Sequence, residues 1–289
     1  MLRYCWILGL LASIGAPLLR ADSFPAGSGR LDFANGGDAI AVFTYRPPAE
    51  AGGPIFVAFS GGERDARGTR DSLIAAARRF HALVVAPLLD AERFPYWRYQ
   101  LGGVVDPDGH IHPRAAWTFA LVPRIVDHVR RLLGRPGAPC YLIGHSAGGQ
   151  FLARFAAFWP TDAVRIVAAN PGSDLFPSRD QPFGYGFGGL PTQLGDDRAL
   201  RAYLAAPLTL YLGTADTAPR PSFDSSAEAM RQGESRLARG RACFAAAAAL
   251  ARERRWTFGW KKVEAPGAGH DESAMYGADA MAEALLGPR

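Results

Sequence analysis

Short apolar runs alternate with amphipathic stretches from about residue 54 to the end of the chain. Ile55-Phe56-Val57-Ala58-Phe59 is apolar at every position, the pattern of a strand buried on both faces of a parallel sheet. Leu83-Val84-Val85-Ala86-Pro87 reads the same way, and further strands are expected over 140–143, 164–169, 208–212 and 256–264. Between them the spacing predicts helices over 71–82, 117–133, 147–159, 235–255 and 271–286. Pro123 should kink or restart the second of these. Ahead of the alternation, 31–34 and 39–45 flank Asn35-Gly36-Gly37-Asp38. Asn and Gly tolerate the positive φ of a tight turn, so a hairpin is expected there. The stretches 89–113 and 170–195 lack periodicity and are rich in Gly, Pro and aromatics. A loop as long as the second is usually functional in a compact domain.

Alternating strands and helices imply an α/β fold: a mostly parallel sheet covered on both faces, with an antiparallel hairpin at its N-terminal end. Ligands of such sheets sit at the carboxyl ends of the strands. No repeat, linker or shift of composition divides residues 22–289, so one domain is expected.

Composition adds limits. The chain has 289 residues, 48% of them apolar, which excludes whole-chain disorder. Residues 1–21 read as a signal peptide: Arg3 is the positive start, 7–19 is mostly apolar, and Ala21 offers a small residue for cleavage. The alternative is an uncleaved anchor helix, which Pro17 shortens. Cleavage would remove two arginines and no acid, taking the formal charge from +5 to +3. A secreted or periplasmic protein is expected, with no stable membrane association once the segment is removed. The basic residues are not interleaved with an aromatic reading surface, so no nucleic-acid partner is expected. Cys5 stands too early for lipid attachment. Cys140 and Cys243 read as buried free thiols, with a disulfide as the alternative.

The chemistry concentrates at strand ends. Gly144-His145-Ser146-Ala147-Gly148 lies between a strand and a helix. Glycines two residues either side let a serine sit in a tight, strained turn at a helix N-terminus, which favours developing negative charge. Ser146 needs a base, and the base needs an orienting acid. His270, after the last strand in Pro266-Gly267-Ala268-Gly269-His270, is the base expected. His145 is expected to point away from the nucleophile's side. His81 and His128 read as structural, His110 and His112 as loop residues. Asp216, in Gly213-Thr214-Ala215-Asp216, is the acid expected; Asp174 and then Asp224 are the alternatives. Two backbone donors should form an oxyanion hole: Ala147, and Gly62 in the loop after Phe59.

These motifs, with Phe59-Ser60-Gly61-Gly62 and the order Ser146, Asp216, His270, resemble the α/β-hydrolase superfamily. Within it the chain resembles exported serine esterases of the polyhydroxyalkanoate depolymerase and feruloyl esterase group. The resemblance runs from about residue 55 to 286. It implies the α/β-hydrolase fold, two-step acyl transfer on a carboxylic ester, and no metal or cofactor. Relatives often carry His-Gly in the oxyanion loop where this chain has Ser60. A small-molecule or polymeric ester is the implied substrate. A peptidase or amidase, or a non-catalytic binding protein on the same fold, are the alternatives. Tyr96, Trp97, Trp117 and Tyr185 are the expected pocket residues, core packing being their other reading. The arginines around 231–255 read as a solvated helix face.

Overall fold

The computed structural model of the chain describes residues 24–48, 52–218 and 223–286. The expected signal peptide lies outside the described residues. One eight-stranded sheet organises the rest: β1 (Gly27–Asn35), β2 (Asp38–Arg46), β3 (Ile55–Phe59), β4 (Leu83–Pro87), β5 (Cys140–His145), β6 (Arg165–Ala169), β7 (Leu208–Gly213) and β8 (Lys261–Ala265). Their order across the sheet is β1-β2-β4-β3-β5-β6-β7-β8. β1 and β2 form the antiparallel hairpin, joined at Asn35↔Asp38 around Gly36, whose φ is 67°. β2 also runs antiparallel to β4, and every later pairing is parallel. The α/β fold expected from the alternation is the fold observed.

The period of two decides which side chains meet. Ile55, Val57 and Phe59 of β3 enter one core layer, while Phe56 and Ala58 enter the other. Cys140 and Leu142 of β5 join the first layer; Tyr141 and Ile143 join the second. Against the first lies α5 (Ala147–Phe158), nearly all of it buried. Its Phe151 touches Phe59, Phe119 and Tyr99 at ring separations of 4.9, 5.2 and 5.3 Å. Burying such a ring stabilises by about 1.5–3 kcal/mol. Cys140 and Cys243 are both free and buried, as the sequence reading favoured.

Several helices differ from expectation. The one placed over 71–82 begins earlier and is broken: α1 (Ala66–Ser72) is capped by Asp65, and α2 (Ile74–Phe80) restarts after Leu73. The helix over 117–133 is α4 (Leu121–Leu132), preceded by two short 3₁₀ turns; α3 (Tyr96–Tyr99) is a single turn upstream. Pro123 therefore sits in the first turn of α4, where a missing N–H loses nothing. Three further helices lie outside the expected spans: the short α6 (Thr192–Gly195), α7 (Asp197–Ala205) and α8 (Ala227–Gln232). α9 (Arg236–Arg254) is capped by Ser235. β8 pairs only over 261–265, not from 256, because Trp256 and Phe258 pack outside the ladder. The last helix is two, α10 (Glu272–Gly277) and α11 (Ala280–Leu286), separated where Ala278 is extended. Among the described residues no helix is long and apolar enough to cross a membrane.

β3 and β5 are neighbours, yet the chain leaves β3 toward β4 and leaves β5 toward β6. Their carboxyl ends thus flank the switch point where such sheets open a crevice. The first turn of α5 closes tightly on it. A Cβ at Gly148 would run into the carbonyl of Phe59 and crowd that of Ser60. Gly148→Ala should therefore cost about 2–3 kcal/mol, the upper range of overpacking, measured by urea unfolding. A loss below about 0.5 kcal/mol would contradict so close an approach.

Candidate active site

Ser146 joins β5 to α5 with φ 54° and ψ −114°, a backbone conformation that L-residues rarely adopt. Gly144 and Gly148 make it possible, since a Cβ on Gly144 would clash with Gly148 itself. The turn is pinned by Ser146 N–H to Ala169 O and Gln150 N–H to Ser146 O, both 2.9 Å.

His270 comes from the loop after β8. Gly267 turns that loop with φ 72°, and its N–H donates to Thr214 Oγ1 at 2.8 Å. Ala215 N–H donates to Ala268 O, so the loops after β7 and β8 are tied together. His270 Nε2 lies 3.0 Å from Ser146 Oγ, and Nδ1 lies 2.7 Å from Asp216 Oδ2. Asp216 is buried, with Arg236 Nη1 at 3.6 Å from its other oxygen. The structure thus brings together Ser146, His270 and Asp216, and puts the two alternative acids elsewhere. Asp224 accepts from the Tyr185 hydroxyl at 2.7 Å. Asp174 is fully buried, and neither carboxylate oxygen meets a hydrogen-bond donor among the described residues.

Two expectations need correction here. His145 does not point away: its ring centroid is 4.6 Å from that of His270. Burial first, then the charges of His270 and Arg236, push His145 down to about 3, so it stays neutral. The arginines of 231–255 do not form one solvated face. Arg236 and Arg239 turn inward and are buried. Arg239 donates to the carbonyls of Gly172, Asp224 and Gly233. Arg241, by contrast, stays outside and pairs with Glu264.

Ser146 and His270 open into a cleft of about 830 Å³. Gly61, Gly62 and Ala147 line it beside the serine, as do Tyr96 and Tyr185. Trp97 and Trp117 do not. Trp97 stacks on His112 at 5.2 Å. Trp117 is buried against Phe119, Phe158 and Trp159, with its indole N–H on His112 O. Trp117 is a core plug, whereas Trp97 is half-buried on the imidazole of His112 and belongs to neither core layer. The cleft wall is more polar than expected. Glu63, Asp65, Asp224, Asp271 and Glu272 line it, and its one arginine among the described residues is Arg236 beside Asp216. Asp65 and Asp271 also cap α1 and α10. Burial, offset by the Thr69 hydroxyl, lifts Glu272 to about 7.

Asn170 carried no signal beyond opening a long loop. In the fold its side-chain carbonyl accepts Gly213 N–H at 2.7 Å, and its amide donates to Gly269 O at 3.0 Å. It therefore ties the loops that carry the acid and the base. Among the described residues the group close enough to share a metal is Asp106, Asp108 and His110. None of these lines the cleft.

Burial, only partly offset by Arg154 and Arg239, lifts Asp174 to about 7 from an ordinary 3.8. Between those values the folded chain keeps a proton that the unfolded chain has released. Stability from this group is thus full below pH 3.8, falls as pH rises to about 7, and is level above. Asp174→Asn should stabilise the protein at pH 8 by up to about 4 kcal/mol and change little at pH 4, by denaturant unfolding at both values. Equal effects at the two would remove the buried-acid assignment.

No protein-family model matches the chain, and no curated protein matches it. Solved structures do. Poly(aspartic acid) hydrolase-1 from Sphingomonas sp. KT-1 is 35% identical with TM-score 0.81, over 87% of this chain and 96% of that one. LpqC, a poly(3-hydroxybutyrate) depolymerase from Bordetella parapertussis, is 33% identical with TM-score 0.81, over 89% of each chain. The siderophore hydrolase EstA from Aspergillus nidulans, at 14% identity and TM-score 0.53 over 99% of this chain and 100% of its own, shares the fold alone. By fold, strand order and these relatives, the chain belongs to the α/β-hydrolase superfamily, in the group of depolymerases and esterases.

Proposed function

We propose that the chain is a serine hydrolase that cleaves carboxylic esters through an acyl-enzyme. The observation carrying this is the relay of Ser146 Oγ, His270 and Asp216 with contacts of 3.0 and 2.7 Å at the mouth of the cleft. His270 takes the proton of Ser146 as Oγ attacks the ester carbonyl. Asp216 holds the imidazole and stabilises its protonated form. The amides of Gly62 and Ala147 receive the oxyanion. The C–O bond of the ester then breaks, and His270 passes its proton to the leaving alcohol. Water, activated by His270, releases the acid and restores Ser146. Residues 1–21 supply the export signal in this reading.

The two relatives at about one-third identity bear on the substrate. One is named for poly(aspartic acid), the other for poly(3-hydroxybutyrate). Amide cleavage by the same residues is the second reading, since poly(aspartic acid) is a polyamide. The cleft wall favours the ester. Carboxylates at Glu63, Asp65, Asp224 and Asp271 face a substrate that would itself carry a carboxylate on every residue. Like charges at such range oppose association. A neutral hydroxyacid ester meets no such opposition, and Tyr96 and Tyr185 offer it hydrogen bonds and ring faces.

A fluorophosphonate should label the protein, and Ser146→Ala should abolish the label; equal labelling of the variant would dismiss the nucleophile. Asp216→Asn should lower kcat on p-nitrophenyl acetate about 10³–10⁴-fold; Asp174→Asn should leave it within about threefold. Oligomers of 3-hydroxybutyrate and of aspartic acid, matched in length, separate the two substrate readings. We expect new chain ends from the first only, and release from poly(aspartic acid) alone would overturn the ester reading.

A further inference from the structure

The proposed oxyanion hole depends on a backbone amide in a loop with two successive glycines, Ser60-Gly61-Gly62-Glu63-Arg64. Such a loop is conformationally free by composition. If its amides had to be ordered at each turnover, the barrier would rise accordingly. Something must therefore hold them in place beforehand.

A ring of contacts closes this loop on itself. Tyr99, fully buried, donates its hydroxyl to the carbonyl of Ser60 at 2.7 Å. The guanidinium of Arg64 lies over the Tyr99 ring, 3.7 Å from its centroid. Arg64 Nη2 donates to Phe94 O and to Gln100 Oε1, both at 3.2 Å. Arg64 also has φ 58°, and its N–H reaches Gly61 O at 3.1 Å, so the chain doubles back at once. The guanidinium is buried, and its Nε and Nη1 meet no acceptor among the described residues. The aromatic face is therefore much of what holds it there. Tyr99 in turn stacks on Phe151 of α5 at 5.3 Å and 16°. The same helix begins at Ser146. Burial pushes the Tyr99 phenol well above its usual value, which keeps the hydroxyl protonated and donating.

We infer that Tyr99 and Arg64 are positioning residues that hold the Gly62 amide in register with Ser146. The inference rests on the serine-hydrolase reading above. Neither side chain lines the cleft, so both act through the loop. The departure at Ser60 gains an account as well. The anchored group is a backbone carbonyl, which any residue at position 60 supplies.

Tyr99→Phe keeps the ring and its stack and deletes only the hydroxyl. The test uses the full chain, with active sites titrated by a fluorophosphonate and turnover of p-nitrophenyl acetate expressed per titrated site. We expect kcat to fall about tenfold to thirtyfold, less than the loss of a whole oxyanion donor, with KM within about twofold. Phenylboronic acid, which forms a tetrahedral adduct on the serine, should lose affinity by the same factor. Arg64→Lys keeps the charge without the planar face, and a smaller loss in the same two readouts is expected. It carries the test if Tyr99→Phe does not fold. Values of kcat per site and boronate affinity within twofold of the parent would overturn the inference. So would a loss confined to the number of titratable sites. A parent protein that neither titrates nor turns over would instead dismiss the serine-hydrolase reading itself.

Discussion

Everything at the cleft depends on how closely the first turn of α5 can approach the end of β3. Gly148 lies against the carbonyls of Phe59 and Ser60 with no room for a Cβ. That contact forces the chain at Ser146 into positive φ, and the positive φ lifts Oγ clear of the sheet. It also sets Ala147 and the Ser60–Arg64 loop on either side of the serine. Backbone against backbone is stiffer than any side-chain packing, because nothing in it can change rotamer. Strain at one residue is thus held by two strands, one helix and the layer of phenyl rings around Phe151.

Charge is buried around this centre in an unusual amount. Arg154, Arg236 and Arg239 are all nearly inaccessible, as are Asp174 and Asp216. Taking such groups from water is costly unless carbonyls or opposite charges surround them. Arg239 spends its donors on three loop carbonyls and Arg154 on Gln150, Ser173 and Gly184. The long stretch after β6 has no regular ladder of its own, so these guanidiniums serve as its framework. The acid of the relay sits at the edge of the same network, through Arg236.

The sheet, the hairpin and the positions of Ser146, Asp216 and His270 were legible in the sequence because each rests on local signals. Continuous apolar runs mark strands that are buried on both faces. Glycines mark turns that need positive φ or close approach. What was not legible rests on contacts made across distance. Nothing in a run of arginines tells which ones turn inward; Arg236 and Arg239 do so because Asp216 and the loop carbonyls lie beneath α9. Trp97 and Trp117 carry the same composition signal as Tyr96 and Tyr185, and only the fold shows which two line the cleft. The break at Leu73 has no proline or glycine to announce it, whereas the one at Ala278 follows Gly277 and could have been read. Asn170 was invisible for a related reason: its value lies in bridging two loops that are about forty and one hundred residues further on.

The bridge at Asn170 has a chemical side. It needs an amide with both polarities, since one end accepts from Gly213 and the other donates to Gly269. An aspartate there would set a carboxylate against the Gly269 carbonyl and loosen the loop that carries His270. Asparagines turn into aspartate with age when the next backbone nitrogen attacks the side-chain amide, a step that requires a hydrogen on that nitrogen. The next residue is Pro171, which has none. The fold has thus put a side chain that ties its acid and base loops where the commonest spontaneous damage to asparagine cannot begin, so this tie should outlast the ageing that loosens other asparagine bridges.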